Sequence, residues 1–181
     1  MEQGIEIKSE DEACVVQVER AGKYLTFSLS DQEYGVGIRK VREIMGMLPI
    51  TAIPHVPKHI KGVINLRGKV IPIIDLRLKF GIATKAKTDQ ECIVVVEING
   101  HEKEMMMGIL VDSVSEVINI REQDIEDTPS LGVDVHTEFI LGMAKVGQGI
   151  KILLDIDCVL GQEELNAITT ATICEEDKEG A

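Results

Sequence analysis

The chain has 181 residues, 44% of them hydrophobic but only 3% aromatic and none tryptophan, and its formal charge is −12. This is enough for one ordinary domain, or two very small ones, around an aliphatic core of Val, Ile, Leu and Met. The negative charge excludes nonspecific nucleic-acid binding, because backbone phosphates would be repelled.

Residues 1–20 hold six acids against Lys8 and Arg20. They show no basic start followed by an apolar run, so they do not read as a secretory signal; an acidic, flexible N-terminal segment is expected instead. No stretch approaches the roughly 18 uninterrupted apolar residues of a membrane span, so direct membrane insertion is not expected. The four cysteines (Cys14, Cys92, Cys158, Cys174) form no CxxC and no zinc-ligand spacing. Cys92 and Cys158 lie in apolar segments and read as small buried hydrophobes. The cytoplasm is the expected compartment.

The folded part is expected over residues 21–165. "YLTFSL" (24–29) reads as a strand, and "YGVGIRKVREI" (34–44) as a strand running into a short amphipathic piece. In "KVREIMGMLPI" (40–50), Val41, Ile44 and Met45 recur at helical spacing beside Gly46. They either seal a barrel or line a groove between two halves. "GVINLRGKVIPIIDLRLKFG" (62–81) is two β-branched runs around a Gly-containing turn, hence a hairpin. A short helix follows, with Asp75 as its N-cap and Gly81 at its end. Pro72 has no N–H and should place its strand at an edge or bulge. "CIVVVEI" (92–98) is the next strand, and Met105-Met106-Met107 leads into another whose side chains fill core gaps. "GMAKVGQGIKILLDIDCVLG" (142–161) is a second hairpin with Asp155 and Gly161 as caps, and residues 166–181 form an acidic tail.

These segments repeat. The first strands match at a separation of 69 residues, the second at 73 (Gly35 with Gly108, Val41 with Val114, Glu43 with Glu116), and the hairpins at 80. One half cannot bury both faces of so few short strands. Two small barrels or sheets sharing a core are therefore expected, an all-β fold with short helices.

Catalytic and metal motifs fail on inspection. "GVGIRK" has Lys40 where GxGxxG needs its third glycine, and "HEKEM" has Met105 in place of the second zinc-binding histidine. Asp155 and Asp157 stand two apart, which does not place them side by side on a helix, and capping accounts for Asp155. His55, His59, His101 and His136 sit in polar or turn contexts and read as solvated. Ser113 and Ser115 have no histidine near in sequence to complete a triad. Neither enzyme activity nor a cofactor nor a metal is expected.

The hairpin region is the unusual feature. Between His55 and Lys79 stand six cations (Lys58, Lys61, Arg67, Lys69, Arg77, Lys79) and a single acid, Asp75, within an acidic protein. Arg67 lies at the turn, where its planar fork suits a bidentate carboxylate, and Glu43 is the candidate partner. A nucleic-acid-binding barrel would also use a basic hairpin, but the net charge is wrong and exposed aromatics for base stacking are lacking.

The run "IKGVINLRGKVIPIIDLRLKFG" (60–81), with "EYGVGIRKVREI" (33–44), "GILVDSVSEVI" (108–118) and "ILLDID" (152–157), resembles the CheW family of chemotaxis coupling proteins across residues 21–165. The resemblance implies two SH3-like β-barrel subdomains on a shared aliphatic core. It implies a non-catalytic adaptor joining the cytoplasmic signalling tips of chemoreceptors to the regulatory domain of the CheA histidine kinase. Such an adaptor is monomeric in isolation and assembled into receptor arrays; a related pathway with an output other than swimming is the alternative. The family's receptor-binding groove falls here on Leu25, Ile38, Val41, Ile44 and Val114, with Arg67 nearby, and would take an apolar helix face. Its kinase contact falls around Ile60, Lys61 and Gly62. The Arg67–Glu43 pair would orient the docking surface.

Overall fold

A computed structural model describes residues 20–82, 90–99, 104–127 and 139–159. The acidic ends, Gly161, His101 and His136 lie outside the described residues. The strands run β1 Gly22–Leu29, β2 Gln32–Gly37, β3 Val41–Gly46, β4 Ile60–Leu66, β5 Lys69–Asp75, β6 Cys92–Asn99, β7 Glu104–Val111, β8 Ser113–Ile120, β9 Ile125–Glu126, β10 Ile140–Val146 and β11 Gly149–Leu154. A single-turn α1, Leu76–Lys79, follows β5, and 3₁₀ turns occupy Ile38–Lys40, Glu122–Asp124 and Ile156–Cys158. The predicted all-β class with short helices holds.

The strands make two sheets in the orders β8-β1-β2-β11-β10-β9 and β3-β6-β7-β5-β4. Each is the sheet of one barrel, here called barrel A and barrel B. Neither barrel is one half of the sequence. Barrel A takes its first hairpin (β1–β2) from the first half and its remaining strands from the second; barrel B does the reverse with β6–β7. The exchange obeys the internal repeat: β2 runs parallel to β11 with Gly35 opposite Leu153, and β7 runs parallel to β5 with Gly108 opposite Ile73. Asp75 N donates to His59 O at 2.7 Å, and Asp155 N to Phe139 O at 2.7 Å, 80 residues on. Both aspartates cap as predicted, accepting from Arg77 N and Asp157 N, and Gly81 ends α1 with φ +69°.

The exchange follows from strands that are apolar on both sides. In β6, Ile93 and Val95 enter the core of barrel B, whereas Val94, Val96 and Ile98 enter a larger core between the barrels. In β1, Tyr24 faces the core of barrel A, and Leu25, Phe27 and Leu29 face the shared one. Each fully buried aliphatic side chain contributes about 1.5–3 kcal/mol, and a single half offers nothing to cover its second face. An aromatic series crosses the seam: Phe27 to Tyr34 at 6.2 Å, Tyr34 to Phe80 at 5.8 Å and Phe80 to Phe139 at 4.6 Å between ring centroids. Met105 and Met107 pack on the shared core and Met106 on that of barrel B, so the methionine run fills core gaps.

Three expectations change. Pro72 is neither at an edge nor at a bulge, since β5 lies between β4 and β7. Its partner Val63 turns its N–H and C=O outward to Thr51, so the proline nitrogen faces β7, one residue before that parallel ladder begins at Ile73. Cys158 is exposed rather than buried, because it ends the last 3₁₀ turn, while Cys92 packs against the shared core. Arg20, assigned to the flexible segment, holds Glu122 at 2.9 Å and Asp127 at 2.6 Å.

Close packing at the repeat-related glycines yields a graded prediction. A Cβ on Gly35 would lie 3.1 Å from Leu153 Cδ2; on Gly108 it would overlap Ile73 Cδ1 and lie 2.9 Å from Ile93 Cγ2; on Gly62, at φ +143°, it would overlap the Thr51 carbonyl oxygen. Gly108→Ala should cost about 1–3 kcal/mol in chemical denaturation, Gly35→Ala less, and Gly62→Ala most, because backbone cannot yield as a methyl can. A second prediction concerns alkaline pH. Burial raises the pKa of Tyr24, with Glu122 adding to it, and burial alone raises that of Tyr34. Their stabilising contribution is complete below the free-tyrosine value of about 10 and is lost as pH rises through the higher folded values. Phenolate absorbance should therefore appear above that value and together with unfolding.

Candidate functional site

Strands β3 and β8 are edge strands, one per barrel, and both are bulged at the same point of the repeat. In β3, Val41 lies opposite Val96 and Glu43 opposite Val95, so Arg42 is the extra residue. The bulge returns Val41 and Ile44 to one face, over Val96 and Val94 of the shared core. Glu43 and Met45 go to the barrel B face, opposite Val95 and Ile93. The three-residue spacing read as helical is thus that of a bulged strand, and Met45 leaves the group to pack in barrel B. In β8, Val114 lies opposite Phe27 and Val117 opposite Leu25, again on the shared-core face; Thr26 Oγ1 bridges the bulge through both the N–H and the C=O of Glu116.

Ile44 is 46% exposed and Val117 49%. They occupy equivalent places 73 residues apart. Ile38, Val41 and Val114 are half-buried against the shared core, and Leu25, only 2% exposed, forms the floor beneath Val117 rather than a contact surface. Val117 was not among the residues carried over from the family, although adding the repeat offset to Ile44 identifies it. Val41 and Ile44 on β3 and Val114 on β8 thus lie on two strands that turn equivalent faces toward one core, with Ile38 in the 3₁₀ turn before β3 and Leu25 on β1 beneath.

Arg67 and Gly68 form the two-residue β4–β5 loop between paired Leu66 and Lys69. Their φ values of +52° and +85° are those of a type I′ turn. Asn65 Oδ1 accepts from Gly68 N at 2.9 Å, which helps hold Arg67 in a left-handed conformation unusual for a side chain of its size. From there Arg67 reaches Glu43 bidentately, Nη1 to Oε2 at 2.9 Å and Nη2 to Oε1 at 2.7 Å. Hydrogen bonding to Glu43, then its charge, raises the Arg67 pKa. Because β3 and β4 are the two edges of their sheet, the pair spans the open side of barrel B.

The rest of the basic island divides. Lys58, Lys61 and Lys69 are exposed, but Arg77 is buried and belongs to the interior. Its guanidinium meets Asp75 at 3.0 Å, Glu91 at 2.9 Å and Asp112 at 2.5 Å. Burial lowers the Arg77 pKa, and the hydrogen bonds and charges of Asp75, Glu91 and Asp112 outweigh it, so the net shift is upward. Of the residues implied in kinase contact, only Lys61 presents a side chain to solvent; Ile60 is buried and Gly62 is packed against Thr51.

Barrel A carries an ion pair where barrel B is apolar. Where barrel B packs Ile71 and Met106, barrel A pairs buried Lys151 with Glu33, and Ser115 Oγ also donates to Glu33. Removing Glu33 alone should leave a buried ammonium unpaired. Glu33→Met is expected to cost about 1–3 kcal/mol, whereas Glu33→Met with Lys151→Ile, copying barrel B, should be neutral or stabilising, as read by thermal denaturation of both variants.

Among the described residues there is no group of His, Cys, Asp and Glu able to hold a metal ion, and no helix long and apolar enough to cross a membrane. Residues 23–164 match the family of the CheW-like domain. Chemotaxis protein CheW of Klebsiella aerogenes is 40% identical over 143 residues, covering 79% of this chain and 84% of its own. The protein of the same name from Rhizobium meliloti is 36% identical, covering 79% and 90%. The crystal structure of scaffolding protein TtCheW from Thermoanaerobacter tengcongensis superposes with a TM-score of 0.71 at 38% identity, over 80% of this chain and 95% of that one.

Proposed function

The chain belongs to the CheW family of non-catalytic chemotaxis scaffolds, and from that premise we propose that it couples chemoreceptor signalling tips to the regulatory domain of the CheA histidine kinase. The observation that carries the receptor half of this reading is the pair of exposed apolar residues, Ile44 and Val117, at equivalent positions over one core. Half-buried Ile38, Val41 and Val114 continue that surface. An amphipathic helix from a receptor tip would lay its apolar face there, its anchors replacing water over Ile44 and Val117. The Arg67–Glu43 pair holds the β4–β5 hairpin to β3 and so keeps one wall of the docking surface in place. Kinase contact is assigned to the region of Lys61, at the far end of β4 from that hairpin tip. The protein then gathers at membrane receptors through its partners.

The reading is tested by pull-down with two baits, a receptor signalling-tip fragment and a CheA regulatory domain. Ile44→Asp and Val117→Asp should each abolish capture by the receptor fragment and leave capture by the kinase domain intact. Retention of receptor binding in both variants would remove the groove assignment. In a double-mutant cycle, Arg67→Ala and Glu43→Ala should be non-additive for receptor binding; additive losses would separate the two residues.

A further inference from the structure

The chain passes between the barrels at two points, and an ion pair holds each. From β7 to β8 it crosses at Asp112. There Asp112 binds Arg77 at 2.5 Å and accepts from Ser30 N, at the tip of the β1–β2 hairpin, at 2.5 Å. From β2 to β3 it crosses at the 3₁₀ turn Ile38–Lys40. There Lys40 Nζ binds Asp157 Oδ2 at 2.8 Å, and Asp157 Oδ1 accepts from Asn99 N at 2.9 Å. Asn99 is the repeat counterpart of Ser30, and Asp157 that of Arg77. The repeat counterpart of Asp112 is Arg39, and Lys40 stands one residue beyond it; the two clamps thus lie at similar places with their charges inverted, but they are unequally protected. Arg77 and Asp112 are 6% and 18% exposed; Lys40 and Asp157 are 33% and 27%. Lys40 also lies between Ile38 and Val41, within the wall assigned to the groove. Its other acidic neighbours are Glu97 and Glu104, and Arg42 takes Glu97.

We propose that Lys40 and Asp157 are positioning residues for the docking groove: without touching the docked helix, their ion pair holds the Ile38–Val41 wall against the shared core. This rests on the groove reading above. It also makes capture of an apolar helix sensitive to salt, because a pair this exposed is screened, whereas the Arg77 clamp keeps the β8 wall constant.

Affinity of the receptor signalling-tip fragment is measured by calorimetry for the full-length chain. Lys40→Met keeps the aliphatic stem without the charge and should bind about three- to fivefold more weakly. Asp157→Asn should show a similar loss, the double variant no more than either alone, and Lys40→Arg wild-type affinity. The gap between wild type and Lys40→Met should close as salt is raised to 1 M. If Lys40→Met weakens binding but Asp157→Asn leaves it unchanged or tighter, Lys40 contacts the partner directly and the positioning role is overturned. Wild-type affinity in both single variants overturns it as well. Ile44→Asp, run alongside, tells the two failures apart: binding lost there but kept in Lys40→Met and Asp157→Asn sinks the positioning role alone, and binding kept in all three sinks the groove itself.

Discussion

The structure depends on an aliphatic core that neither half of the sequence can close alone. Leu25, Phe27 and Leu29 from β1 meet Val94, Val96 and Ile98 from β6, with Ile74, Ile109, Leu154 and Ile156 around them. The β6–β7 hairpin is apolar on two faces, and the β1–β2 hairpin buries Leu25, Phe27, Leu29, Tyr34 and Val36 on one face and Tyr24 on the other, so each needs one cover within a barrel and a second between barrels. Exchanging hairpins meets both needs at once. It also forces the chain to cross between barrels twice, and the edge strands β3 and β8 begin at those crossings. The placement of the candidate docking surface is therefore a consequence of how the core closes.

Polar groups are used sparingly and at points where packing leaves choices open. Hydrophobic burial is non-directional and does not by itself fix how one barrel sits on the other. The Arg77 cage and the Lys40–Asp157 pair supply direction at the two crossings. A buried cation among three acids is weak evidence of stability, because desolvation offsets attraction; its geometric role is the stronger argument. The Lys151–Glu33 pair in barrel A makes the same point by contrast, since barrel B builds the equivalent place from Ile71 and Met106.

The candidate docking surface illustrates how a local irregularity decides which residues share a face. Without the bulge at Arg42, Val41 and Glu43 would share a face and Ile44 would point into barrel B. With it, Ile44 stays over the shared core, and the matching bulge near Glu116 does the same for Val117. Both remain half exposed because they lie on edge strands, where no neighbouring strand covers them. Arg67 joins the opposite edge of the sheet to this one through Glu43.

The all-β class, the two-fold repeat, the hairpin at Arg67–Gly68, the Asp75 and Asp155 caps and the Arg67–Glu43 pair were legible in the residues themselves. Each depends on neighbours in sequence, on a repeat that can be counted, or on the one conspicuous charge anomaly. The exchange of hairpins, the bulges, the burial of Arg77, the exposure of Cys158 and the interior position of Pro72 were not legible. A continuous apolar run states that a strand has two apolar faces and is silent on which strand covers each. Hydrophobic attraction has no address. The register of β3 on β6, the partners of Arg77 and the exposure of Ile44 and Val117 over one core exist only once the two halves have closed on each other, and the tertiary structure alone decided them.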